Sequence, residues 1–168
     1  ELARKQIIQA GFKRIGCVLD RIYPYQIDNR WWAAYMMGGV SGQMETLEVW
    51  RDAEPDFTGF QAWYRRVNPD AIICVHLPTV VGWLEQMGLR VPDDISVASI
   101  AGAKINGNFS GIVENGKTCG KIAMEVLMDR VNRGDFSRSG TMHDVKIAGQ
   151  WNHGKTICYN KSDGSPIS

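Results

Sequence analysis

The sequence predicts an α/β protein built on a doubly wound, mostly parallel sheet of about four or five strands. Short, continuous apolar runs recur, RIGCVL at 14–19, AIICV at 71–75 and SVASI at 96–100. Runs of that length without polar alternation suit strands covered on both faces. Segments with apolar side chains at helical spacing separate them. A strand–helix alternation of this kind implies parallel strands joined by right-handed crossovers.

The elements follow in order. Leu2–Ala10 is an amphipathic helix, with Leu2, Ala3, Gln6, Ile7 and Ala10 on one side and Gly11 closing it. Arg14–Leu19 is the first strand. Asp28 is placed to cap a helix carrying Trp31, Trp32, Tyr35 and Met36. Of the tryptophan pair, one is expected in the core and the other on a lobe surface or in a binding site. Leu47–Trp50 reads as a short strand ending in the core. Asp56 opens a helix whose apolar side chains are Phe57, Phe60, Ala62, Trp63, Tyr64 and Val67.

Ala71–Val75 is the next strand, followed by a helix over Thr79–Met87 that Gly88 closes. The stretch VPDDISVASI gives a turn and the strand Ser96–Ile100. AGAKINGN is a Gly/Asn loop, GIV a short extended piece, and Lys117–Asn132 a helix. Cys119, Ile122, Ala123, Val126, Leu127 and Val131 form an apolar stripe on that helix, which Met124 and Met128 widen. A last strand is expected over about His143–Ala148, and residues 158–168 form a polar tail expected to be disordered.

Bulk properties exclude several classes. A chain of 168 residues holds one sizeable domain or two very small ones. The formal net charge is +1 with no dense Lys/Arg run, so this chain is not by itself a nucleic-acid-binding module. The four cysteines, Cys17, Cys74, Cys119 and Cys158, are too scattered for a zinc site or a redox pair, which points to a reducing, cytoplasmic setting. No apolar run reaches the roughly 20 residues that span a bilayer. No signal-peptide pattern opens the chain, and without a starting Met it reads as a fragment.

Ligands of open α/β sheets bind at the carboxyl ends of the strands. That rule selects Asp20 to Tyr25 after the first strand, the start of the Arg30 helix, His76 after Ala71–Val75, and Ala101-Gly102 after Ser96–Ile100. A neutral imidazole at His76 offers one donor and one acceptor, enough to hold a hydroxyl. The plainer reading of His76 is a cap or a packed strand-end histidine. Tyr23 and Tyr25, with the Trp pair, could supply stacking surface. Cys74 lies inside an apolar run, where a nucleophilic thiolate is not expected. Asp20 is not where a phosphoacceptor of the receiver type would stand, since His76 occupies that place. No enzymatic activity, metal or cofactor is therefore expected.

Longer motifs carry a resemblance. PDAIICVHLPTVVGWLEQMGLRVPDDISVASIAG, QAGFKRIGCVL, Arg30-Trp31-Trp32, Gly59-Phe60, the Cys119-Gly120 helix and GQWNHGKTI together resemble the C-terminal part of the ligand-sensing domain of LacI/GalR transcriptional regulators. The resemblance covers about residues 1–157; the stretch PDAIICVHLPTVVGWLEQMGLRVPDDISVASIAG is its most specific block, and GLRVPDDISV within it is a strong signal for the family. It implies a periplasmic-binding-protein-like type I lobe, the C-terminal subdomain plus a crossover helix. It also implies a small, sugar-like effector in a cleft between two lobes, a homodimer, and operator DNA read by an N-terminal domain absent from this chain. By the same resemblance Arg30 donates to effector oxygens, which a guanidinium fork suits. The plainer reading of Arg30 is a solvated arginine or a partner of Asp28. His76 and Leu77 stand where the family has Asn-Asp, and Ala101 where it commonly has a sugar-gripping Asp. Two polar contacts are thus missing, which shifts discrimination from hydrogen bonding towards shape. The crossover helix 117–132 would pack on the other lobe. The alternatives are a periplasmic sugar receptor of a transporter with the same fold, and an enzyme on a flavodoxin-like sheet.

Overall fold

The computed structural model describes residues 1–19, 25–42, 44–45, 47–52, 56–134 and 144–159, with the backbone alone for 25–28 and 40. The elements run α1 (Leu2–Gln9), β1 (Ile15–Val18), α2 (Tyr25–Val40), α3 (Phe57–Val67), β2 (Ala71–Cys74), α4 (Leu77–Gln86), β3 (Ser96–Ser99), β4 (Gly111–Val113), α5 (Gly116–Asn132) and β5 (Gln150–Asn152). The five strands lie in the order β1-β2-β3-β4-β5. The first four pair in parallel and β5 runs antiparallel to β4. Beyond β1, Trp50 forms a parallel bridge to Val18. From β1 the chain therefore goes outward to that edge and then returns to the other side of β1. The sheet is doubly wound and mostly parallel, as the apolar runs predict.

Strand residues alternate between two cores, one on each face. Ile15, Cys17, Ala71, Ile73 and Ala98 meet Ile7 and Ala10 of the α1 region and Tyr35 of α2. Val18, Ile72, Cys74 and Val97 meet Phe60, Trp63 and Val67 of α3 with Val80 and Leu84 of α4. Each strand is thus buried on both sides, which is why its sequence carries no polar alternation. Tyr35 ties the first core together: its hydroxyl lies 2.8 Å from Ile15 O, which accepts, and itself accepts from Leu47 N at 3.0 Å.

Local chemistry sets the element ends. Asp56 caps α3, its Oδ1 accepting from Gly59 N at 2.6 Å. Asn68 ends α3 in the left-handed region at φ 47°. Asp70 Oδ2 accepts from Lys13 N and Arg14 N, both at 3.0 Å, and so aligns the entrances of β1 and β2.

Four expectations need correction. Helix α2 begins at Tyr25, so Asp28 lies inside it and does not cap it. Helix α4 begins at Leu77, two residues before the expected start, because a proline in the first turn lacks only an N–H that the helix does not use. The last strand is Gln150–Asn152 rather than 143–148. The expected strand at Leu47–Trp50 is a single bridge. On α2, Trp31 packs against the first core while Trp32 is 42% exposed. No residue of α5 is buried, and Met124, Leu127, Met128 and Val131 are each more than half exposed. The apolar stripe read from the sequence is therefore uncovered in this chain.

None of the four cysteines is in a disulfide; Cys17 and Cys74 are buried, Cys119 and Cys158 exposed. Burial pushes the Cys17 thiol from an ordinary 9.0 up to about 12. Between those values the unfolded chain has released the proton and the folded chain still holds it. Stability therefore falls as pH rises through that window, by up to about 1.4 kcal/mol per unit for this thiol. Burial of Tyr35 acts in the same direction at higher pH. Urea midpoints taken at pH 9 and 10 should drop in the wild type and drop less in Cys17→Ala; equal slopes would remove the assignment.

Candidate functional site: a pocket at the carboxyl ends of β2 and β3

Strand β2 stays buried through Cys74 and Val75, and the next residue, His76, is exposed. His76 is the N-cap position of α4, with φ −95° and ψ 79°, yet its side chain makes no cap hydrogen bond. The imidazole is therefore not consumed by the helix it precedes. Helix α4 then turns Leu77 into the core, at 2% exposure, so Leu77 contributes shape and no polar contact.

Beside it, β3 ends at Ser99. The Ser99 hydroxyl lies 3.3 Å from Val75 O, which it can serve as donor, and also contacts Ala101 O; it accepts from Ala101 N at 3.3 Å. One buried hydroxyl thus links the carboxyl ends of β2 and β3. The loop after β3 carries two turns on positive φ, Gly102 at 73° and Asn106 at 58°. It closes the site from the other side before β4 begins.

The result is a cavity of about 680 Å³ lined by residues of these three segments and by Glu114 beyond β4. That volume lies within the ~300–1,000 Å³ of sites for small organic ligands. Leu77, Pro78, Ala101, Ala103 and Phe109 give apolar surface, while His76, Lys104, Asn108 and Glu114 give donors and acceptors. Such a lining can stack a ring against Phe109 and hold hydroxyl or charged groups at its rim. A smaller cavity of about 230 Å³, with Cys17, Trp31, Tyr35 and Ile73 in its wall, lies against the sheet face beside α1 and α2. Among the described residues no group of three His, Cys, Asp or Glu side chains is set to hold a metal ion.

Of the residues selected from the sequence, His76 and Ala101 come together in the larger cavity. Arg30 stands exposed on α2 and is not among the residues lining that cavity. Asp20 and Tyr23 lie outside the described residues, as does the side chain of Tyr25. The sequence reading missed Ser99, Lys104, Asn108, Phe109 and Glu114. The strand-end rule could have reached Ser99 and Glu114, which stand at the carboxyl ends of β3 and β4, but the other three belong to a loop that only the tertiary fold folds back. Cys74 is wholly buried, its Sγ 3.7 Å from Ala98 O, and so is closed to a substrate.

Comparison with known proteins agrees with the fold. A family model described as a periplasmic binding protein-like domain matches residues 5–145. No curated protein sequence matches the chain. Among solved structures, a PurR family transcriptional regulator from Vibrio parahaemolyticus superposes with a TM-score of 0.71 at 14% identity, covering 92% of this chain and 59% of that one. A LacI family transcriptional regulator from Enterococcus faecium, with bound ribose, gives 0.67 at 14% identity, covering 95% and 62%. A Lac repressor dimer bound to operator and an anti-inducer gives 0.65 at 15% identity, covering 93% and 56%. The chain thus spans about three fifths of the length of these structures, and the likeness is one of fold. Among the described residues no helix is long and apolar enough to cross a membrane.

Proposed function

The chain belongs to the periplasmic binding protein-like domain family, and from that premise we propose that it is the C-terminal lobe of the effector-sensing domain of a LacI-type transcriptional regulator. The observation that carries the proposal is the cavity at the carboxyl ends of β2 and β3, which holds His76 and Ala101 in one wall. It lies where a doubly wound sheet receives its ligand. The effector is a small, sugar-like molecule, a reading supported by the ribose in the Enterococcus faecium regulator. His76 would donate to or accept from a hydroxyl, Phe109 would stack on the ring, and Arg30, exposed on α2 outside the cavity lining, would reach effector oxygens from there.

The rest of the mechanism belongs to the whole protein. A second lobe, packing on the uncovered apolar side of α5, completes a cleft with the pocket as one wall. Ligand favours the closed arrangement of the lobes only as far as it binds that arrangement better. In a cytoplasmic homodimer the closure changes how the N-terminal DNA-reading domains sit on operator, a coupling that is reciprocal between effector and DNA. The reading assigns no catalytic step.

Isothermal titration of the full-length protein with D-ribose, D-galactose and D-glucose tests the reading. At least one sugar should saturate, and at 100 times its Kd it should stabilise the fold by about 2.7 kcal/mol. His76→Ala and Arg30→Ala should each weaken that sugar about tenfold, the loss of one good polar contact, with an unchanged urea midpoint. Unchanged affinity in both variants would sink the site assignment. Sugar binding without any effect on DNA binding would move the protein to the class of transport receptors.

A further inference from the structure

The pocket loop is held by a segment far away in sequence. Asn106 N donates to Asn152 Oδ1 at 2.9 Å, and Asn152 Nδ2 donates to Gly107 O at 3.0 Å and to Phe109 O at 2.8 Å. Lys155 N donates to Asn108 O at 2.6 Å, and Ser110 N to Thr156 Oγ1 at 3.0 Å. Five consecutive residues, 106 to 110, therefore each give a main-chain group to the segment 152–156. Gly154 sits against the same loop: a Cβ there would lie 2.3 Å from Phe109 C and 2.4 Å from Ser110 N. Thr156 O in turn accepts from Val97 N at 2.7 Å, which anchors the segment to β3.

We infer that Asn152 is a positioning residue of the pocket, the template on which the wall Lys104–Phe109 is built. Asn152 is buried at 7% exposure, and the three hydrogen bonds of its side-chain amide, both N–H donors included, all go to the loop. The loop's apolar side chains are not in the core, with Ile105 64% and Phe109 39% exposed, so these bonds fix where Asn108 and Phe109 face the cavity. The inference rests on the pocket being the effector site.

The test is hydrogen exchange on the protein with Asn152→Asp, which keeps the shape and the Oδ1 acceptor but cannot donate to Gly107 O and Phe109 O. Peptides over 101–110 should exchange about tenfold faster or more, while those over β1 and β2 stay within about twofold, as expected for local opening. Thr156→Val, which removes only the acceptor of Ser110 N, gives a milder acceleration confined to the same loop and stands in should the aspartate variant not fold. Any of D-ribose, D-galactose or D-glucose that the wild-type full-length protein binds should bind about tenfold more weakly to the Asn152 variant. Exchange unchanged in the loop, or accelerated equally across β1 and β2, overturns the inference, as does unchanged sugar affinity. A released loop in a protein that binds none of the three sugars supports the clamp and counts against the effector reading alone.

Discussion

Replacing Trp63 by alanine lowers the stability of the protein by about 4 kcal/mol, the middle of the ~3–5 kcal/mol range for removing a buried aromatic. Trp63 is 1% exposed and lies on the α3 face of the sheet. A Cβ on Gly16 would meet its ring at 2.8 Å, so the indole rests directly on the backbone of β1. Its ring centroid is 5.7 Å from Phe60, which stands 5.1 Å from Trp83 and 6.0 Å from Trp50. Truncation removes one member of this aromatic cluster, leaves a cavity that backbone on the β1 side closes poorly, and strands Glu48 O, which accepts from the indole N–H at 2.8 Å. Set against the ~5–15 kcal/mol typical of a whole domain, the loss is a large fraction of the total. The urea midpoint should fall with little change in m. Gly16→Ala should destabilise the wild type by crowding the same ring. In the Trp63→Ala background it should cost less, so the two effects fall short of additivity. A loss below about 1 kcal/mol for Trp63→Ala would contradict this account of the core.

How legible the molecule is in its sequence follows from the same packing. The first three strands are visible because burial on both faces leaves a period-free apolar run, and α3 because Asp56 marks its start and the apolar side chains through Val67 its length. The segment before α3 misleads for a physical reason. Among its described residues the buried ones, Met44, Leu47 and Trp50, fall every third position, which is not the period of a strand, and Trp50 alone of these forms a bridge to the sheet. Strand β5 is missed because it is three residues long, lies at an edge and buries only Asn152, a polar residue. A part of the pocket is legible for one reason: strand ends are. His76 and Ala101 follow from where β2 and β3 stop. Lys104, Asn108 and Phe109 do not, because the bonds that shape their loop come from residues more than forty positions later. The uncovered stripe of α5 was readable in full, since helical spacing records a face whether or not its cover is present.

Gly111→Ala tests the weakest seam of the sheet and should cost about 3 kcal/mol, the upper part of the range for overpacking. Strands β3 and β4 meet through the single pair Ser99 and Gly111, against four pairs between β2 and β3 and three between β4 and β5. At that seam a Cβ on residue 111 would lie 2.5 Å from Ser99 O, 2.9 Å from Ser99 Cβ and 3.0 Å from Ser99 N. Two of these are backbone atoms, which cannot swing aside as a flexible side chain would. The added methyl must therefore drive β4, and β5 with it, away from β3. Ser99 N, which donates to Ser110 O at 3.0 Å, loses its partner first. The damage reaches the pocket, because Ser99 and Glu114 lie in its wall on opposite sides of the seam. Loss should therefore appear locally before it appears globally: exchange at Ser99 and Ser110 should accelerate more than at Ile72 or Ile73, which sit between β1 and β3. A variant within about 0.5 kcal/mol of wild type, with Ser99 still protected, would mean that β4 is free to shift without cost. The parallel sheet would then be a three-stranded unit carrying β4 and β5 as a loosely docked hairpin, and the pocket a feature of their contact rather than of the sheet itself.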